Sequence, residues 1–379
     1  EGDKAITVWI QPGEYRLTAP LSFSAEDSGT AASPVVYKAG PGGEVILSGG
    51  REITGWVEVG ENRWAVTLPE AASGNWYFRQ LFVNGKRLSR GRFPNEGTMM
   101  TLKKVSEDVK TLELDQTPPS IARIADTELV VYENWSISRA PIAAIEEAEL
   151  TTAVSVGWMG HGPMTTASPG KPCYVENALE WVDSPGEWYL DRSSGLLTYQ
   201  AAPGEDPNRS RFVAPYAQEF LTFSGTADRP IHDIAFEGMQ LAYNEWAFPE
   251  FGYMGVQAGH YGPSMKGPIY VLPPAIAFHY AQRCRLENCA ITHTGACGIG
   301  FGAGCRDNRV VRCELTDIGG NGIMIGWRTG DAQHGRIGDA ALSADWPDPA
   351  DVPRGNEVSQ CRLSRCGAVN HGCVGIFDA

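Results

Sequence analysis

An all-β solenoid, a right-handed parallel β-helix carrying an inserted antiparallel β-sandwich module, is the fold class that three features of this sequence predict. The first is a repeat. Cys289 and Cys313 stand 24 residues apart in one setting: an apolar residue three before (Leu286, Val310), another two after (Ile291, Leu315), then a Gly-Ile pair (Gly298-Ile299, Gly322-Ile323). Self-similarity at a period in the twenties marks a solenoid, in which each repeat buries its apolar side chains against its neighbours. The second feature is the extent of the pattern. Phe236, Met239 and Leu241 fill the slots upstream; Val358, Cys361, Leu363 and Gly375-Ile376 fill them downstream, with intervals of 50, 24 and 48 residues between slot residues. Each long interval is one coil plus a loop, at 244–274 and 328–355. The third is the stretch 54–215, which carries no such echo. The Leu-x-x-Leu-x-Leu signature of leucine-rich repeats is absent, and no helical period is visible.

In chain order, Ile6–Ile10, Val35–Tyr37 and Val45–Leu47 are short β runs separated by the turn formers Pro12-Gly13, Ser28-Gly29 and Gly40–Gly43. They are expected to form early coils, residues 1–53. From Thr54 the texture changes to half-buried alternation, as in Trp64–Leu68, Gln80–Val83 and Leu129–Tyr132, with an Asn84-Gly85 hairpin turn. Residues 54–215 are therefore read as the inserted β-sandwich, and 216–379 as the resumed coils. The chain stops inside a strand, Val374–Ala379, without a polar cap. Further coils are expected beyond it.

The composition narrows the function. The 379 residues contain 31 Lys+Arg against 45 Asp+Glu, a formal charge of −14 with pI near 5.0. Nucleic acid and anionic membrane surfaces are poor partners for such a chain. No apolar run is long enough to cross a bilayer. Eight of the nine cysteines fall between Cys284 and Cys373. Equivalent side chains of stacked coils lie roughly 4.8 Å apart, outside the usual Cβ–Cβ disulfide window of about 3.5–4.5 Å. A ladder of buried thiols is expected, with one disulfide through Cys366 or Cys373 left open.

A set of short motifs is similar to a known group. They are Gly13-Glu14-Tyr15, Asp27–Thr30, Pro34–Tyr37, Leu47–Gly50, Leu81–Gly85, Arg92–Asn95, Pro185–Tyr189 and Gly319–Ile323. Over nearly the whole chain the arrangement resembles secreted β-helix glycoside hydrolases with an inserted β-sandwich, families 141 and 120. The resemblance implies a glycosidase, secreted or periplasmic, acting on an oligo- or polysaccharide of the xylan, β-xyloside or fucose-containing kind through a pair of carboxylates.

Such chemistry needs one protonated carboxyl and a second as nucleophile or base, about 5–5.5 Å apart for retention and roughly 6.5–9.5 Å for inversion. Alternation points Ile276, Ile299, Ile323 and Ile376 inward. Ala277, His279, Gly300, Gly302, Met324, Gly326 and Phe377 then face out, a smooth floor that a ligand or another backbone can approach closely. Catalytic acids are sought in Asp378, Asp345 and Asp331, or in coils beyond Ala379, with Asp317 and Glu357 beside them. Turn and capping duty is the competing role for Asp317, Asp339 and Asp378. His279, Trp327, Arg328, His334, Trp346 and His371 are candidate sugar contacts, although Trp327 and Trp246 equally suit corner packing. No cofactor is expected, with calcium held open for the acidic loop 331–351. A polysaccharide lyase and a non-catalytic carbohydrate-binding solenoid are the rival functions.

Overall fold

Extended segments punctuated by left-handed residues lay one strand per circuit into each of three parallel sheets. The computed structural model describes residues 5–158, 162–263, 269–326, 336–337 and 348–378. The first sheet holds Ile6–Ile10, Val35–Ala39, Ile234–Glu237, Arg285–Glu287, Arg309–Val311 and Glu357–Ser359. The second holds Gly13–Arg16, Val45–Ser48, Gln240–Ala242, Ala290–Thr294, Glu314–Ile318 and Arg362–Cys366. The third holds Leu21–Ser24, Leu221–Ser224, Pro274–His279, Cys297–Phe301, Ile323–Ile325 and Ile376–Asp378. The 24-residue repeat is thus one circuit: Leu286 pairs with Val310, Ile291 with Leu315 and Ile299 with Ile323.

The core of this unit is a set of columns. Phe23, Phe223, Phe278 and Phe301 stack down the third sheet with successive centroids 5.3, 4.4 and 4.9 Å apart. All nine cysteines are thiols. Those in the repeat slot donate to the preceding circuit: Cys289 Sγ to the Phe236 carbonyl at 3.5 Å, Cys313 to Leu286 at 3.5 Å, and Cys361 to Val310 at 3.4 Å. A thiol in this slot fills the column like a small apolar side chain and also finds an acceptor. Burial pushes the thiols of Cys284, Cys297 and Cys305 up to about 12.

The first sheet carries a different ladder on its outer face. Lys38 pairs with Glu237 at 3.0 Å, Arg285 with Glu237 at 2.5 Å and Arg309 with Glu357 at 2.8 Å. Opposite charges on neighbouring parallel strands attract, whereas like charges would repel. Glu357, sought in the sequence beside the candidate catalytic acids, belongs to this surface ladder and not to the third sheet.

The third sheet corrects the expected open floor. Its outward column is Thr222, Ala277, Gly300, Met324 and Phe377. Ala277 is 3 % and Met324 2 % exposed, so the middle of this face is covered. The glycines make room for neighbouring side chains. A Cβ at Gly300 would stand 2.7 Å from Cγ of Pro274, and one at Gly302 would stand 2.5 Å from the His279 ring.

Residues 51–214 and 247–268 make up a second unit. Its main sheet is antiparallel and includes Met100–Val105, Thr111–Leu114, Glu128–Tyr132, Ile137–Glu146, Glu149–Thr152 and Pro172–Glu176. One face of it buries Leu102, Leu112, Leu129, Val131, Cys173 and Val175. The Asn84-Gly85 turn joins Phe82–Val83 to Lys86–Arg87, with both turn residues at positive φ (47° and 77°), as a two-residue hairpin requires. The segment 247–268, which the sequence places in a loop of the coils, instead gives Tyr253–Met254 to this unit, antiparallel to Ser138 and Arg139. A two-residue strand has no periodicity to betray it.

Two buried carboxyls make this unit sensitive to pH. Burial pushes Glu133 up to about 7, against hydrogen bonds from its neighbours, among them Ser136 Oγ at 3.2 Å. Burial also pushes Glu187 up to about 7, although the Asp183 and Ser184 amides each donate to it at 3.0 Å. A carboxyl raised on folding contributes stability that is complete below its unfolded value and is lost as pH rises through the folded value. The second unit should therefore melt at lower temperature at pH 8 than at pH 5, at about 1.4 kcal/mol per tenfold change in affinity for each proton. Calorimetry of the Glu133→Gln, Glu187→Gln double variant should show a flatter profile. An unchanged profile would remove these two groups as its cause.

Candidate active site

The repeat places more than its core in register. Four residues after Met239, Cys289, Cys313 and Cys361 come Tyr243, His293, Asp317 and Arg365, each at the end of the second sheet. All four have left-handed backbones, with φ of 67°, 55°, 56° and 52°. The left-handed turn is a property of the corner, because Gly238, Asn288, Arg312 and Gln360 share it at the preceding corner (φ 75°, 52°, 51° and 56°). Glycine and asparagine accept that conformation at little cost, whereas Tyr and His do so less readily. The side chains are what set the second column apart.

They form a chain of contacts across four circuits. The Tyr243 and His293 rings stack at 4.8 Å with planes 13° apart. His293 Nε2 lies 3.9 Å from Asp317 Oδ2, and Arg365 Nη2 donates to Asp317 Oδ1 at 3.2 Å. The Asp317 side chain is only 4 % exposed, while that of Arg365 is mostly solvated. Beside the column, Thr316 and Ser364 hydroxyls meet at 3.0 Å. Asn244 donates to the Gln218 carbonyl at 2.6 Å and accepts the Gly295 amide at 3.2 Å, tying three circuits together. Arg365 fixes one oxygen of the Asp317 carboxylate and leaves the other facing an imidazole. That arrangement suits a carboxylate that must keep its orientation. At 3.9 Å the His–Asp approach is short of a hydrogen bond, and catalytic contacts of this kind commonly tighten only around a bound substrate.

Of the acids sought in the sequence, Asp317 is built into this column. Asp378 is exposed and pairs with Ile325, in the column of Phe223, Phe278 and Phe301 rather than that of Gly300 and Met324. Asp331, Asp339 and Asp345 lie outside the described residues, as do Trp327, Arg328, His334 and Trp346. His371 is exposed on the loop before the last strand. His279 sits on the outer face of the third sheet beside Gly302. Burial pushes it down to about 4, so its imidazole is neutral at neutral pH and able to accept as well as donate. Trp246 is buried, in keeping with packing. Among the described residues no group of three or more His, Cys, Asp or Glu is placed to hold a metal ion.

Tyr243, His293 and Arg365 were not picked out as site residues from the sequence. The signal was present: reading the repeat four residues past its slot puts all four in line.

Comparison with known proteins bears on what such a site serves. Residues 61–202 match the insertion domain of family GH141. A solved structure described as a glycoside hydrolase superimposes on 100 % of this chain and 68 % of its own, with TM-score 0.85 and 25 % identity. A complex of XylC with xylose aligns at 14 % identity over 84 % of this chain and 46 % of its own, with TM-score 0.44. No curated protein matches the chain. With that insertion domain in place and a glycoside hydrolase superimposing along its entire length, the chain is similar to the glycoside hydrolases that carry a GH141 insertion domain, and it is an enzyme of the glycosidase class.

Proposed function

We propose that the enzyme hydrolyses glycosidic bonds in plant or algal cell-wall glycans of the xylan or fucose-containing kind, outside the cytoplasm, through a pair of carboxylates. The circuits are read as a right-handed parallel β-helix. The observation that carries the proposal is the full-length superposition on a glycoside hydrolase at 25 % identity. The Asp317 column supports it by offering an oriented carboxylate beside an imidazole and an aromatic ring. Asp317 is assigned to the pair, with its partner among Asp331, Asp345 and Asp378. Circuits are spaced by roughly 4.8 Å, so carboxylates one circuit apart suit retention, and those between one and two apart suit inversion. His279, His371, Trp327, Arg328, His334 and Trp346 are assigned to sugar binding.

Product analysis on a panel of xylans, xylosides and fucosylated oligosaccharides tests the activity. New reducing ends without an unsaturated sugar are expected. An unsaturated product would mean elimination, the lyase reading, and no product with retained binding would mean a carbohydrate-binding solenoid. Asp317→Asn is expected to lower kcat by about 100-fold or more with KM little changed. Full activity in that variant would take Asp317 out of the pair.

A further inference from the structure

The Asp317 column ends on a cation whose donors are mostly unspent. Among the described residues the Arg365 guanidinium has one acceptor, Asp317 Oδ1, which Nη2 reaches at 3.2 Å. The Arg365 side chain is 67 % exposed, against 4 % for that of Asp317. A single N–H suffices for the contact, so the rest of the fork faces solvent beside the carboxylate. Arg362 stands on the same strand, 75 % exposed and 3.5 Å from Glu314 Oε1 of the preceding circuit. Alternation turns it outward with Ser364, because Leu363 between them packs against the core. In a chain of formal charge −14, two solvated arginines beside an oriented carboxylate form a local cationic spot.

Every role open to Asp317 in glycoside hydrolysis makes it neutral at one stage. It is protonated as the acid, protonated after acting as the base, or esterified as the nucleophile. Arg365 loses its counter-charge at that stage. An anionic group carried by the substrate can replace it through two parallel N–H···O bonds, the geometry in which a guanidinium fork meets an oxyanion. A sugar hydroxyl offers the fork a single oxygen and no charge.

We propose, on the reading of Asp317 as a catalytic carboxylate, that Arg365 binds an anionic substituent of the sugar held against it. The group is the carboxylate of a uronosyl unit or a sulfate ester, both of which present paired oxygens, and Arg362 adds to the attraction. The substrate is thereby narrowed to acidic, decorated forms of the glycan, and Arg365 binds substrate as well as positioning Asp317.

Matched oligosaccharides test this on the full chain: a xylo-oligosaccharide with and without a glucuronosyl branch, and a fucosylated oligosaccharide with and without a sulfate ester. In the wild type, kcat/KM should favour the charged member of at least one pair by about tenfold at low salt. Which pair shows it distinguishes carboxylate from sulfate. Arg365→Gln loosens the hold on Asp317 and so slows the charged and neutral members alike. The ratio between them isolates recognition of the anion. That ratio should fall to near unity in Arg365→Gln, and the wild-type ratio should shrink as salt is added. A wild-type ratio near unity for both pairs overturns the proposal, as does a ratio that Arg365→Gln leaves unchanged. If no pair is cleaved, the hydrolase reading fails separately. Calorimetric titration of the same pairs, with Kd in place of kcat/KM, then decides whether Arg365 recognises the anion.

Discussion

Glu128→Ala is expected to destabilise the inserted unit by about 3–5 kcal/mol, the range for removing one partner of a buried ion pair. Arg79 would lose both of its acceptors on Glu128, and Arg90 and Arg139 would each lose the nearer of the Glu128 carboxylate oxygens. The loss comes less from the missing attraction than from the desolvated charge left behind. Calorimetry or denaturant titration followed by a probe in 51–214 checks it. A change within about 0.5 kcal/mol, the ordinary range for a surface substitution, would show that the cluster is solvated in solution. Glu128→Gln should lie between the two, since it keeps the shape and one acceptor but not the charge.

Phe278→Ala should cost a similar amount, about 3–5 kcal/mol, in the other unit. Phe278 lies between Phe223 at 4.4 Å, nearly parallel, and Phe301 at 4.9 Å. Its loss leaves a void in a stack that cannot close without shifting whole circuits, because the circuits are spaced by main-chain hydrogen bonds. Phe278→Leu should recover part of the loss. If alanine is tolerated at near wild-type stability, the column relaxes far more freely than parallel stacking allows.

The circuits were legible in the sequence because their information is periodic. Leu286, Val310 and Val358 must be apolar for the same reason at the same rung, so one circuit announces the next. The same register held the site column, but there the residue types differ: Tyr243, His293, Asp317 and Arg365 share a backbone conformation and no hydropathy. A search for apolar recurrence passes over them. Alternation gave the correct side for Gly300 and Gly302, while what covers that side was not readable. The ring against Gly300 belongs to Pro274, at the end of a long irregular interval, and nothing in a glycine says which neighbour it accommodates. The charge cluster around Glu128 was least visible. Arg79, Arg90, Glu128, Arg139 and Glu176 are spread over nearly a hundred residues, each unremarked in its own segment, and meet only when the strands of Glu128, Arg139 and Glu176 pair.

The short strand Tyr253–Met254 limits how the molecule can be taken apart. The chain enters the second unit at Arg51, leaves after Ala214, returns at Ala247 and leaves again after Pro268. A fragment cut at 61–202 would carry the matched family domain and yet lack the strand that pairs with Ser138 and Arg139. A chain with 51–214 deleted would keep a 22-residue excursion whose partner is gone. The insert is not a cassette. Grafting it onto another scaffold calls for two segments supplied in trans or joined by a new linker, and a library that shuffles it as one continuous block should return mostly unfolded products.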